Sequence, residues 1–166
     1  EKIARISSKI KKSKSLVLLG RGVNSAVARE GALKIKETSY INANGYASGE
    51  FLHGHMALVD KNIPVISIIN KHIDNENNYK LSLKNTKKVA KTRKPKLIII
   101  KSINDNEIVK EENFKKAEFL DTPECMEILS PIYNTVCMQL LALNIALGLG
   151  RNVDNPRSLS KAITSE

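Results

Sequence analysis

Apolar and polar positions fall along this chain in blocks that switch between two periods. Ser15-Leu16-Val17-Leu18-Leu19 is a short apolar run closed by Gly20, the pattern of a strand buried on both faces. Pro64-Val65-Ile66-Ser67-Ile68-Ile69 and Leu97-Ile98-Ile99-Ile100 repeat it, and 38–43 and 118–120 add two shorter strands. Between the strands the period lengthens. Ile3, Ile6 and Ile10 mark one side of a basic helix over 2–12. A second helix begins at Asn24 or Ser25, either of which can cap it, and runs to Glu37. A lysine-rich helix covers about 74–92, with Pro95 just beyond its end. Residues 103–116 are polar and irregular. Thr122-Pro123-Glu124 reads as the cap, first-turn proline and acid of a last helix, which Ser130-Pro131 restarts or kinks. Over 132–149 that helix is apolar nearly all round, which predicts a central, buried position, and Gly150 ends it. Strands alternating with helices predict an α/β fold, a three-layer sandwich whose parallel sheet is flanked by helices on both faces.

Composition narrows the class. The chain has 166 residues, 42% of them hydrophobic and 27% charged, which suits one globular domain with a real core. No repeat or internal boundary appears, so 1–166 is expected to be a single domain. It starts at Glu1 rather than at methionine, as a piece of a longer protein would. No signal-peptide pattern is present, and the apolar run over 138–147 is too short to span a bilayer and contains Gln139 and Asn144. No membrane partner is therefore expected. Cys125 and Cys137 both lie in a helical pattern and read as buried free thiols of a reducing, cytoplasmic protein. A net charge of +10 raises the question of nucleic acid. The lysines are spread over the first helix, the middle helix and several turns, and aromatics are only 4%. Without a stacking platform or a zinc-finger spacing, no nucleic-acid partner is expected. The bland reading is a solvated, lysine-rich surface that also attracts anionic substrates.

Candidate chemistry gathers in Glu30-Gly31-Ala32-Leu33-Lys34-Ile35-Lys36-Glu37. At about 100° per residue, Glu30, Leu33, Lys34 and Glu37 share one arc, and Val27, Ala28, Gly31, Ala32 and Ile35 share the opposite one. One face is thus small and apolar, and the other carries carboxylate, lysine, carboxylate. The same spacing also describes a surface helix with ion pairs of about 0.2–0.5 kcal/mol each. Gly49-Glu50-Phe51-Leu52-His53-Gly54-His55 turns a histidine toward the same neighbourhood, and Lys161 returns near the C-terminus. Gly20-Arg21-Gly22 makes a tight turn from strand to helix, a place where phosphates bind, but it lacks a Walker lysine and a third glycine in dinucleotide register. His53-x-His55 could form two-thirds of a metal set, yet no third ligand is placed nearby, so no metal is expected. No cofactor is expected either.

These segments resemble the second sugar-isomerase (SIS) domain of the glutamine–fructose-6-phosphate aminotransferases. The matching stretches are Leu19-Gly20-Arg21-Gly22, Glu30 to Glu37, Gly49-Glu50 with His53-Gly54, Ala57-Leu58-Val59-Asp60, Pro64-Val65-Ile66 and Pro131-Ile132-Tyr133. The tail Val153-Asp154-Asn155-Pro156-Arg157 with Leu159 and Lys161 matches too. The set in this order spans nearly the whole chain, though 70–120 matches in architecture only. The resemblance implies a flavodoxin-like SIS fold and the isomerase half of amino-sugar biosynthesis, in which fructose 6-phosphate and glutamine-derived ammonia give glucosamine 6-phosphate. It implies that Lys161 forms a Schiff base with the keto carbon, Glu37 moves the proton between the first two carbons, His53 opens the sugar ring from the neighbouring subunit, and Lys34 steadies the charge of the enolamine. It also implies a first SIS domain and a glutaminase domain elsewhere in the full-length chain, and a homodimer.

The chemistry asks for these types independently. A lysine attacks a carbonyl only when neutral, proton shuttling needs a fixed carboxylate, and ring opening suits histidine. Two departures stand out. His55 follows His53-Gly54 where the family usually has proline, and Leu52 replaces a common lysine. The serine- and threonine-rich loop that grips phosphate in the first SIS domain has no counterpart here, so the isolated chain is expected to turn over little or nothing. Two other readings share these residues: a related two-domain phosphosugar isomerase, deaminase or fructosamine deglycase, and a non-catalytic sugar-phosphate sensor.

Overall fold

The computed structural model describes residues 1–157. Five strands, β1 (Ser15–Gly20), β2 (Asn42–Ala47), β3 (Val65–Ile69), β4 (Leu97–Ser102) and β5 (Glu118–Thr122), form one sheet in the order β2-β1-β3-β4-β5, with every neighbour parallel. This is the flavodoxin-like order, and its switch point lies between β1 and β3. Because side chains alternate across a strand, the apolar runs sort into two cores. Leu16, Leu18, Ile66, Ile98, Ile100 and Leu120 face α1 (Lys2–Ile10), α2 (Asn24–Ser39) and α6 (Ser130–Gly148). Val17, Leu19, Val65, Ile69, Leu97 and Ile99 face α4 (Glu76–Arg93) and the short α3 (Ser48–Phe51) and α5 (Glu107–Lys110). The predicted three-layer α/β sandwich is the observed one.

Several boundaries differ from expectation for local reasons. Residues 38–39 are not strand. Thr38 bonds back through Oγ1 to the Lys34 carbonyl at 2.8 Å and stays helical, and Tyr40 then turns left-handed with φ +60. The strand therefore begins only at Asn42. Nor does a side chain cap α2: Asn24 is buried, and its Oδ1 accepts from Asn134 Nδ2 at 2.8 Å. Asn134 Nδ2 also donates to Asn70 Oδ1 at 2.8 Å, and Asn70 Nδ2 donates to Thr122 Oγ1 at 2.9 Å, tying α2, α6, β3 and β5 together under the C-terminal edge of the sheet. Thr122 is thus a strand residue rather than a helix cap. The last helix starts at Ser130, with Pro131 in its first turn, where the missing amide costs nothing.

Glycines set two close approaches. A Cβ on Gly45 would lie 2.4 Å from the Ala28 carbonyl oxygen, so β2 touches the backbone of α2 there. A Cβ on Gly31 would lie 2.7 Å from Met138 Cε, so α2 and α6 nest at that point.

The expectation of a wholly buried last helix is overturned. The inner side of α6 is buried, with Cys137, Met138, Leu141, Ala142, Ile145 and Ala146 in the core. Its outer side shows Ile132, Val136, Leu140, Leu143 and Leu147 to solvent, each 37–61% exposed. The helix is apolar all round, and the described residues cover only its inner side. With the turn before it, the segment Glu127–Gly148 is 22 residues and holds an 18-residue window of mean hydropathy 1.3, long and apolar enough by length and composition to cross a membrane, which corrects the expectation from 138–147 alone. In this fold its inner face is packed on the sheet.

Candidate functional site

The apolar arc of α2 packs as predicted: Val27, Ala28, Gly31, Ala32 and Ile35 are buried. That packing turns the polar arc outward. Lys34 Nζ lies 2.8 Å from Glu37 Oε2 and 3.6 Å from Glu30 Oε1. The hydrogen bond to Glu37 is the main reason the Lys34 ammonium is held above its ordinary value of 10.5, with the charge of Glu37 and then Glu30 adding to it against the cost of burial. Lys34 is therefore a fixed cation at neutral pH. It is suited to stabilising negative charge and unsuited to attacking a carbonyl. Glu37 is about a quarter exposed at its side chain. Leu33 stands beside them, 42% exposed.

Lys161 lies outside the described residues. What the structure shows is where the chain leading to it goes. After α6 and the left-handed Gly150, the segment 151–157 crosses the end of α2. The Arg157 amide donates to Tyr40 Oη at 2.9 Å, and the Arg157 and Arg151 guanidinium carbons sit 4.0 and 5.1 Å from the Tyr40 ring centre. Tyr40 is three residues from Glu37, about 4.5 Å of helix rise. Lys161 is four residues from Arg157, a span of at most about 14 Å fully extended. The chain length thus permits Lys161 to meet Glu37. The sequence pattern puts Tyr40 in a strand and gives Arg157 no role. The available signal was an aromatic directly after a helix, where glycine or asparagine is usual.

His53 does not join this group within one copy. It is exposed and follows Phe51, which belongs to the core on the α4 side of the sheet. Its neighbour His55 stacks on Tyr46, ring centres 4.5 Å apart, and Tyr46 packs with that same core. Glu37 lies on the α2 side, near the opposite end of β2. A strand rise of about 3.3 Å per residue separates the levels of Asn42 and Tyr46 by about 13 Å, with the sheet itself between. The expectation that the histidine turns toward the same neighbourhood is corrected for a single chain, because α2 runs back between two parallel strands and so ends at the edge opposite to the end of β2.

The charge distribution says where phosphate would not be held. At the C-terminal edge of the sheet, where open α/β sheets bind ligands, segments 21–24, 48–55, 70–76, 103–107 and 122–127 carry seven carboxylates against two basic residues. A shallow depression of about 290 Å³ there is lined by Arg21, Gly22, Ser48, Gly49, Glu50 and Asn78. The lysines, spread in sequence, are gathered in space at the other edge. Segments 9–14, 60–62, 91–96 and 112–118 hold eleven basic residues against three carboxylates, most of the net +10. The helices α1 and α4 end at that edge, and the lysines offset their negative ends. Neither cysteine is a nucleophile candidate: both are free, and burial pushes the Cys137 thiol up to about 11 and also raises Cys125. Among the described residues, no three metal-ligating side chains come together.

Comparison with known proteins gives a consistent picture. The profile of the SIS domain matches residues 9–148. The glutamine–fructose-6-phosphate aminotransferase (isomerizing) of Mesorhizobium japonicum is 40% identical over all 166 residues, which cover 26% of that protein. The enzyme of the same name from Methanosarcina mazei is 42% identical over 154 residues, covering 93% of this chain and 24% of that protein. Among solved structures, the C-terminal domain of glucosamine-fructose-6-phosphate aminotransferase from Francisella tularensis superimposes with a TM-score of 0.81 at 34% identity, covering 92% of this chain and 41% of that one. The chain spans about a quarter of the length of the curated relatives it matches.

Proposed function

The chain belongs to the SIS domain family, and from that footing we propose that it is the isomerase half of a glutamine–fructose-6-phosphate aminotransferase. One observation carries the reading. The lysine–carboxylate cluster on the open face of α2 and the C-terminal segment that leads to Lys161 are brought to the same helix end by the contact of Arg157 with Tyr40.

The roles follow from the groups. Lys161, as a neutral amine, adds to the keto carbon of open-chain fructose 6-phosphate, loss of water leaves an imine, and ammonia then adds to that carbon and expels the lysine, leaving the sugar's own imine for the proton transfer. Glu37 takes the proton from the first carbon and returns it to the second. Lys34, held protonated by its two carboxylates, faces the negative charge that develops between those steps. His53 opens the ring of a substrate bound to a second copy, which fits its place on the far side of the sheet. Phosphate is held by another part of the longer protein, because the serine- and threonine-rich phosphate loop of the first SIS domain has no counterpart in this chain. The exposed apolar face of α6, beside Leu33 and the Lys34 cluster, is where that remaining part packs.

Lys161→Arg in the full-length protein tests this. Glucosamine 6-phosphate formation is expected to vanish while sugar-phosphate binding, measured by calorimetry, persists. Turnover that survives the change would end the covalent assignment. The isolated 166-residue chain is expected to show little or no turnover.

A further inference from the structure

Tyr40 sits in the left-handed region, with φ +60 and ψ +25. The residue that closes a helix in this way is normally glycine, because a Cβ there crowds the following carbonyl. Helix α2 gains nothing from an aromatic at this position; glycine would close it with less strain. Among the described residues, the hydrogen bond and the cation–π contacts of its side chain are with one distant segment. The hydroxyl accepts from the Arg157 amide, 117 positions away, at 2.9 Å. The ring carries the guanidinium of Arg157 at 4.0 Å and that of Arg151 at 5.1 Å. Strain retained at one residue beside a candidate site points to a role in that site.

We propose that Tyr40 is a positioning residue: it pins the segment 151–157 to the end of α2 and so fixes the place from which Lys161 reaches a sugar held at Glu37. This rests on the reading above that Lys161 forms an imine with the keto carbon. Tyr40 itself touches no reacting atom. It acts through the tail, two guanidinium groups and one amide at a time, and the hydroxyl and the ring contribute separately.

The experiment uses the full-length protein and three readouts: the melting temperature, steady-state kinetics with fructose 6-phosphate, and borohydride reduction of the imine followed by mass spectrometry of the lysine adduct. Tyr40→Gly removes the ring and relieves the backbone at once. It is expected to melt no lower than the parent, yet to lose at least about ten-fold in both kcat and adduct at Lys161, the size of loss a misplaced reacting group causes. The KM for fructose 6-phosphate stays within about three-fold, since sugar binding is not what the ring controls. Tyr40→Phe keeps the stacking and loses about three-fold, the size of one hydrogen bond. Arg151→Ser with Arg157→Ser, both exposed and away from the core, gives a loss like that of Tyr40→Gly and serves if the glycine variant does not fold. Adduct and kcat at parental levels in Tyr40→Gly, or in the double arginine variant, overturn the role of Tyr40. A parent enzyme that gives no adduct at Lys161 overturns the imine reading itself, and this inference with it.

Discussion

If Glu37 and His53 act on one sugar, no single copy of this chain can supply both, and that can be measured. The two lie on opposite sides of the sheet, and the levels of Asn42 and Tyr46 on β2 are about 13 Å apart along the strand. A side chain of either residue spans less than half of that. The perturbation is a pair of full-length variants, Glu37→Gln and His53→Gln, each isosteric enough to leave packing unchanged because both positions face outward. Each variant alone is expected to fall about 10²–10⁴-fold, the usual loss on removing a general acid or base. In a two-fold symmetric dimer with shared sites, a hybrid of the two variants carries both lesions in one site and none in the other. A 1:1 mixture that exchanges subunits freely recovers about a quarter of parental activity, and hybrid purified by two affinity tags recovers about half. The assay is glutamine-dependent formation of glucosamine 6-phosphate by the tagged hybrid, beside both homodimers. Hybrid activity no higher than the homodimers refutes the shared site. So does a His53→Gln homodimer with parental activity.

Three further outcomes follow from the packing. Val136→Glu with Leu140→Glu changes residues 51% and 42% exposed in this chain; the isolated domain should keep its stability within about 0.5 kcal/mol, as surface changes do, while the full-length protein loses assembly and amination, and full activity in sedimentation-verified oligomer would show that nothing docks there. Gly45→Ala places a Cβ 2.4 Å from the Ala28 carbonyl, against backbone that cannot step aside; urea denaturation should show a loss of about 1–3 kcal/mol, and an unchanged midpoint would mean that α2 is not seated as described. Acid should release α1 first. Arg5 foremost, then Lys9, hold the Glu118 carboxyl below its ordinary 4.5, and for Asp121 the hydrogen bonds from Lys101 and Lys2 outweigh burial and hold it below 3.8. Lowered carboxylates contribute stability that is present above those ordinary values and lost as pH falls through the folded ones. Circular dichroism melts should therefore drop below about pH 4.5, and Glu118→Gln should flatten that limb; an identical limb in the variant would remove these pairs as its cause.

The sheet was legible because its strands are buried on both faces. Leu16 to Leu19, Val65 to Ile69 and Leu97 to Ile100 are continuous apolar runs, and a run of that length between glycine, proline and charged residues has few other uses. The inner and outer arcs of α2 were legible for the same reason, since period fixes face. Three things were not. The end of α2 depends on Thr38 bonding back to Lys34 and on Tyr40 tolerating a left-handed turn, and β-branched and aromatic residues in sequence argue for strand instead. The exposed side of α6 could not be told from the buried one, because an all-apolar helix has no period to read. The concentration of lysines at one edge was hidden because residues 9–14, 91–96 and 112–118 are far apart in the chain and meet only through the parallel topology. The position of Lys161 falls outside the described residues, and only the path toward it was recovered.

That path bears on how the amine is prepared. A lysine that forms an imine near neutral pH must give up its proton more readily than a free lysine, and nearby positive charge or burial brings that about. Lys34 cannot be that amine, since Glu37 and Glu30 hold its proton on. The segment that leads to Lys161 carries Arg151 and Arg157, both gathered on Tyr40, and the end of α2 adds Lys34. An amine delivered into this neighbourhood would meet three cations. Two carboxylates stand there as well, but Lys34 already occupies both. The ion triad on α2 thus has two effects that a simple surface pair would not have. It keeps Lys34 charged, and it holds two carboxylates against that one cation. Covering this face with the partner proposed for the apolar side of α6 would remove water and strengthen both effects.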